Sequence, residues 1–79
     1  MKINIAYYAM FREAAGSSKE TVEVESDNAV ALFDSLKEKY DFSMSRSRVR
    51  LAVNDAFVNW DTPLSDGDSV VFIPPVAGG

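Results

Sequence analysis

Apolar and polar positions alternate with a period of two from the start of the chain: Ile3, Ile5 and Tyr7 share one side of an extended segment, and Lys2, Asn4, Ala6 and Tyr8 share the other. This predicts a strand over Lys2 to Ala9 that meets a core on the first side and leaves Tyr8 on the wetter one. Glu20 to Glu25 alternates again, with Val22 and Val24 opposed to Glu23 and Glu25. Phe11 to Ser18, containing Gly16, then reads as the long loop of a first hairpin. Ala29, Leu32, Phe33, Leu36 and Tyr40 instead recur at helical spacing over about three turns. Ser26, Asp27 and Asn28 precede them with side chains suited to an N-cap, and Lys37 and Lys39 lie where cations complement the helix dipole.

Asp41 to Ser47 is polar and reads as loop. Arg50 to Asn54 and Phe57 to Trp60 are short apolar runs around Asn54 and Asp55, the pattern of a small hairpin. Leu64 to Asp68 is a turn in which Asp66 can bond local backbone and Gly67 accepts positive φ. In Val70 to Ile73, Val70 and Phe72 point one way and Val71 and Ile73 the other. A strand apolar on both faces belongs in the middle of a sheet. Pro74 and Pro75 end it, since neither donates a ladder hydrogen bond and both favour extended backbone. The expected order is ββαβ(β)β, an α+β fold with one main helix on one face of a mixed sheet. It forms a single domain over 1–79 with a flexible C-terminal tail over 76–79.

The chain has 79 residues, 47% of them hydrophobic and 25% charged. A domain of this length buries little more than about 60% of its unfolded-chain surface, which leaves no room for a large internal active-site cavity. With neither cysteine nor histidine, a disulfide framework, a thiolate metal site and the commonest general base are all excluded. A net charge of −4 opposes nucleic-acid binding, which needs a surplus of cations, and suits a basic protein partner. The one basic cluster, Arg46, Arg48 and Arg50, fits either a solvated loop beside a strand or a phosphate or partner site. No stretch reaches membrane-spanning length and the start lacks the regions of a signal peptide, so the expected protein is soluble and cytoplasmic.

The sequence closes on Val76, Ala77, Gly78 and Gly79 after the proline pair. At average glycine usage a closing diglycine arises by chance in roughly 0.5% of sequences. A glycine carboxylate has no Cβ beside it and threads a channel too narrow for other residues, which suits delivery of the terminus itself.

This element order with a closing diglycine resembles the ubiquitin-like β-grasp fold, and local motifs narrow the resemblance. Ala9-Met10-Phe11-Arg12-Glu13-Ala14-Ala15-Gly16, Leu51-Ala52-Val53-Asn54, and above all Asp61-Thr62-Pro63-Leu64-Ser65-Asp66-Gly67-Asp68 followed by Val71 to Gly79 are similar to the small subunits of molybdopterin synthase, a sulfur-carrier family. The resemblance covers the whole chain, although Asp41 to Val49 carries no recognised motif. It implies a subunit that supplies a reacting group and leaves acid, base and oxyanion donors to its partners. Gly79 would be adenylated and converted to a thiocarboxylate, with Gly78, Ala77 and Val76 as the tail that passes into the partner. The implied partners are the synthase large subunit, an adenylyltransferase related to ubiquitin-activating enzymes and a sulfur-donor enzyme, in an assembly of two small and two large subunits. No cofactor is bound permanently and no metal is expected; ATP is used by the activating partner.

In a β-grasp domain the first and last strands run parallel and adjacent, with Ile3, Ile5, Tyr7, Leu32, Phe33, Leu36, Val70 and Phe72 in the core. The same adjacency brings Tyr8 and Ile73 together on the uncovered face with Phe57 beside them. With Pro74 and Pro75 they are the expected partner-binding residues. Other readings are the sulfur carrier of thiamine thiazole synthesis, a protein-conjugating modifier that acylates lysine through Gly79, and an interaction domain with an inert terminus. Asp66 and Asp68 can also be read as paired carboxylates of an enzyme, or as turn formers.

Overall fold

The two alternating segments and the closing apolar segment become strands of one sheet. The computed structural model describes residues 1–75, in the order β1 (Lys2–Ala6), α1 (Ala9–Ala15), β2 (Lys19–Glu23), α2 (Ala29–Tyr40), a 3-10 turn at Arg46–Arg48, β3 (Arg50–Val53), β4 (Ala56–Val58) and β5 (Ser69–Ile73). The expected flexible tail over 76–79 and the roles given to Val76, Ala77, Gly78 and Gly79 lie outside the described residues.

The sheet has five strands in the order β2-β1-β5-β3-β4, with β5 parallel to β1 and antiparallel to β3. The two-faced apolar strand is therefore central, where neighbours satisfy its backbone on both sides. Its inward residues Val70 and Phe72 are fully buried, as are Ile3, Ile5, Tyr7 and Phe33, and Leu32 and Leu36 are buried with them, all from the set expected of the core. Asn28 is the N-cap of α2, its Oδ1 accepting the Ala31 N–H at 3.0 Å. The parallel β1–β5 pair crossed by α2 is the ubiquitin-like β-grasp arrangement.

Strand bounds shift, with β1 ending at Ala6 and β4 covering Ala56–Val58, and two segments expected as loop carry more structure than that. The seven-residue helix α1 starts at Ala9, where the first strand was expected to run on, and takes up most of the expected loop Phe11 to Ser18 before Gly16 closes it at φ 78°. Two turns are too short to display a helical period, and what holds this helix is burial of one side chain. Phe11 is fully buried, its ring 4.9 Å from that of Phe42 and 6.2 Å from that of Phe33. Asp41 to Ser47 is likewise more than a polar loop. Asp41 adopts φ 58°, the left-handed helix stop, and turns the chain so that the Phe42 N–H reaches the Lys37 carbonyl at 3.1 Å while its ring enters the core.

The acidic turn is structural. Asp66 Oδ1 accepts the Lys2 N–H at 2.6 Å, so Asp66 ties the turn to β1 instead of bonding locally. Asp68 makes the local contact, accepting the Ser65 N–H at 2.8 Å, and also accepts from Asn54 Nδ2 at 2.9 Å. Gly67 sits at φ 86°. Both carboxylates are committed to folding the turn, which removes the paired-acid reading.

Glu20 joins the sheet edge to the end of α2. Its carboxylate accepts from Tyr7 Oη at 2.7 Å and from Tyr40 Oη at 2.7 and 2.8 Å, with Lys39 Nζ at 3.4 Å. Partial burial disfavours the Glu20 charge, but the two hydroxyls and the Lys39 ammonium outweigh it and hold the pKa below the usual glutamate value. Burial, then the bond to Glu20, pushes the Tyr7 hydroxyl well above its ordinary range. Because the folded-state pKa of Glu20 is lowered, its contribution is present above the unfolded value and is lost as pH falls through the folded one. Glu20→Gln should cost about 1.5 to 3 kcal/mol at pH 7, the range for hydrogen bonds to a charged group. Urea unfolding should show that gap narrowing as pH falls below the ordinary glutamate range. A gap independent of pH would mean that the charge plays no part.

Candidate functional site

Strand alternation that buries Val70 and Phe72 forces Val71 and Ile73 onto the opposite face of the sheet, away from α2. Register then decides their neighbours. Ala6 lies beside Val71, Val71 beside Ala52, and Ala52 beside Phe57, making one row across four strands. Small alanines keep this row low. Phe57 (56% exposed) and Tyr8 (57% exposed) rise from it, the two large apolar side chains left in solvent among the described residues. Together with Asp55 and Ile73 they line a groove of about 260 Å³.

The structure thus brings together Tyr8 and Ile73, which alternation singled out, and Phe57, which was expected beside them. Pro74, half-buried, and Pro75, exposed, follow directly from Ile73. The root of the closing segment therefore starts at the groove. Tyr8 reaches it as the residue before α1, beyond the end of β1, rather than from within the strand.

Sequence reasoning missed Ala52, Asp55, Val71 and Arg50 as members of this site. The available signal was the two-residue turn Asn54-Asp55, with φ of 51° and 68°, which sets Ala52 opposite Phe57. Arg50 pairs with Ile73, and its guanidinium lies 3.9 Å from the centre of the Phe57 ring, a cation–π contact. Arg46 stacks instead on Trp60 at 5.5 Å, and Arg48 is exposed. The basic cluster is therefore split between places and is no single phosphate site.

What this surface can do chemically is limited. It offers an apolar floor, two aromatic rims, the Arg50 cation and the Asp55 carboxylate, which suit protein recognition. Among the described residues no group of three or more acidic, histidine or cysteine side chains is placed to hold a metal ion. Among them, too, no helix is long and apolar enough to cross a membrane.

The chain is similar to known proteins over nearly its whole length. Residues 5–79 match the family model described as the ThiS family. The chain is 42% identical over 82 residues to the molybdopterin synthase sulfur carrier subunit of Mycobacterium tuberculosis, covering 100% of this chain and 99% of that protein. It is 31% identical to the subunit of the same name from Escherichia coli, covering 98% and 99% respectively. Among solved structures it is similar to a chain in the complex of subunits 1 and 2 of the molybdopterin-converting factor from Helicobacter pylori, with TM-score 0.71, 25% identity and 100% of both chains covered.

Proposed function

Since this chain belongs to the ThiS family, we propose that it is the sulfur carrier subunit of a molybdopterin synthase, with the carboxylate of Gly79 as its chemical site. The observation that carries this reading is the placement of an exposed apolar groove, Tyr8, Phe57 and Ile73, at the root of a segment that closes on Gly78 and Gly79. A carboxylate is inert at neutral pH, so an adenylyltransferase must activate it with ATP, releasing pyrophosphate and leaving an acyl-adenylate. A sulfur donor then displaces AMP to give the thiocarboxylate. In the large subunit that sulfur attacks the pyranopterin precursor, and hydrolysis of the resulting acyl bond returns Gly79 to its carboxylate. A dithiolene needs two sulfurs, so each product consumes two loaded carriers, consistent with two small and two large subunits per assembly.

The chain's own contribution is positioning. From Pro74 to Gly79 an extended backbone reaches at most about 20 Å, so the groove must dock near a recessed site. The prolines stiffen the root and reduce the ordering cost of threading, otherwise on the order of 1 to 2 kcal/mol per residue. The test is intact mass after incubation with ATP, the adenylyltransferase and a sulfur source. One oxygen should be replaced by sulfur on the fragment containing Gly79. Linkage of Gly79 to lysines of other proteins would support a modifier instead, and an unchanged chain would leave an interaction domain.

Ile73→Asp places a charge on the floor of the groove, at an uncovered position. Binding to the large subunit should weaken by at least about 2 kcal/mol, or roughly thirtyfold, with the circular dichroism spectrum unchanged. An unaltered titration would remove the groove from the docking site.

A further inference from the structure

The β2 edge of the sheet is open, and its sequence is complementary to itself. Antiparallel register pairs Ile5 with Glu20 and Ile3 with Val22, and bonds from the Tyr7 N–H to the Ser18 carbonyl and from the Val24 N–H to the Met1 carbonyl continue that ladder at both ends. The even positions of β2 are therefore spent on β1. By alternation, the backbone N–H and C=O groups of Lys19, Thr21 and Glu23 point away from the sheet. The bond that meets them among the described residues is a long one, Ser17 Oγ to the Lys19 carbonyl at 3.3 Å. Lys19, Thr21 and Glu23 are also exposed, on the face opposite α2.

We propose that β2 is a self-association edge: two copies of this chain pair their β2 strands antiparallel about Thr21, each setting its Lys19 opposite Glu23 of the other. A two-fold axis through Thr21 and perpendicular to the sheet keeps the helix-covered faces on the same side. In this register all three outward residues of each copy meet outward residues of the other, so the free backbone groups satisfy one another. A shift of two residues one way sets Lys19 opposite Thr21 and Glu23 opposite Ser17. A shift the other way sets Thr21 opposite Glu23 and draws Glu25, beyond the strand, against Lys19. The centred register alone pairs both charges within the strand, and the symmetry doubles that pair.

Neither charge is strongly held within the chain. Lys19 makes no ion pair among the described residues, and Glu23, 70% exposed, has only the Met1 ammonium at 3.9 Å. Edge charges commonly serve to prevent such pairing. Placing opposite signs at equal distances from a central threonine does the reverse for an identical edge. The other edge, β4, has three residues and offers less. A single five-residue pairing falls below the roughly 1,200 Å² of a stable interface, so the dimer is weak and concentration-dependent. Because β2 is the edge farthest from β4 and Phe57, both docking grooves stay open in the pair.

Sedimentation of the full chain from about 10 µM to about 1 mM reads the outcome independently of any sulfur chemistry. The average mass should rise toward that of a dimer, with slowed amide exchange at Thr21 and Glu23. Lys19→Glu should weaken association on the order of tenfold, because two like-charge contacts replace two attractive ones. Lys19→Glu combined with Glu23→Lys restores opposite signs and should bring association back to near the original strength, and circular dichroism checks that each variant is folded. A monomer throughout the range, association indifferent to Lys19→Glu, or a double variant that stays as weak as the single one would each overturn the proposal. So would edge amides protected only on adding the large subunit, since the edge would then belong to that partner.

Discussion

A chain lacking Gly79 is expected to fold and to bind the large subunit, yet to form molybdopterin at least about a hundredfold more slowly. Its terminus is still a glycine carboxylate, Gly78, but one residue short of the reacting position, about 3.5 Å at extended geometry. Displacements of about 1 Å already cost on the order of a hundredfold when reacting atoms must be held in near-attack geometry. The groove of Tyr8, Phe57 and Ile73 is untouched, so affinity should change little while rate collapses. Gly78→Val is the complementary variant. It keeps Gly79 and adds a branched side chain in the channel, so activation by the adenylyltransferase should fail without unfolding. Reconstituted synthesis with purified large subunit measures both, and wild-type rates from the shortened chain would refute the sulfur-carrier mechanism.

Phe72→Ala is expected to cost about 3 to 5 kcal/mol of folding stability, measured by urea unfolding at pH 7. Phe72 is fully buried on the central strand. Its ring lies 5.1 Å from Phe33 of α2 and 6.0 Å from Trp60, stacked on the latter at 8°. It also meets Phe11 of α1 edge-on at 6.3 Å. Truncation thus opens a cavity that both helices and the loop after β4 line, and no single neighbour can fill it. At about 0.05 to 0.15 kcal/mol per residue, a domain of 79 residues holds about 4 to 12 kcal/mol in total, so the variant should be near or past its limit. Phe72→Leu keeps most of the volume and should lose under half as much. A loss below about 1 kcal/mol for Phe72→Ala would show that the aromatic cluster is not what holds the layers together.

How far the sequence carries the site is clearest at Tyr8 and Ile73. Alternation put both on the uncovered face, and the two-faced apolar character of Val70 to Ile73 made that strand central. Arg50 was visible only as one of three neighbouring arginines, because its contact with Phe57 depends on how β3 is paired on both sides. Glu20 gave still less sign of its role. In sequence it is one acid of an alternating strand, and its hydroxyl partners lie far apart in the chain, Tyr7 just after β1 and Tyr40 at the end of α2.

The sequence by itself determined where the backbone keeps one period long enough to be read: which side of each strand faces inward, where α2 begins and which of its residues are buried, and which strand needs neighbours on both edges. Those properties are set within a few residues by the geometry of a strand or a helix turn. Tertiary structure alone decided the helical state of Ala9–Ala15, the burial of Phe42 after a left-handed Asp41, and the division of the arginines between Trp60 and Phe57. Each of those outcomes depends on contacts between residues distant in the chain, where one aromatic ring finding space in a core outweighs the local preference of a short or polar segment.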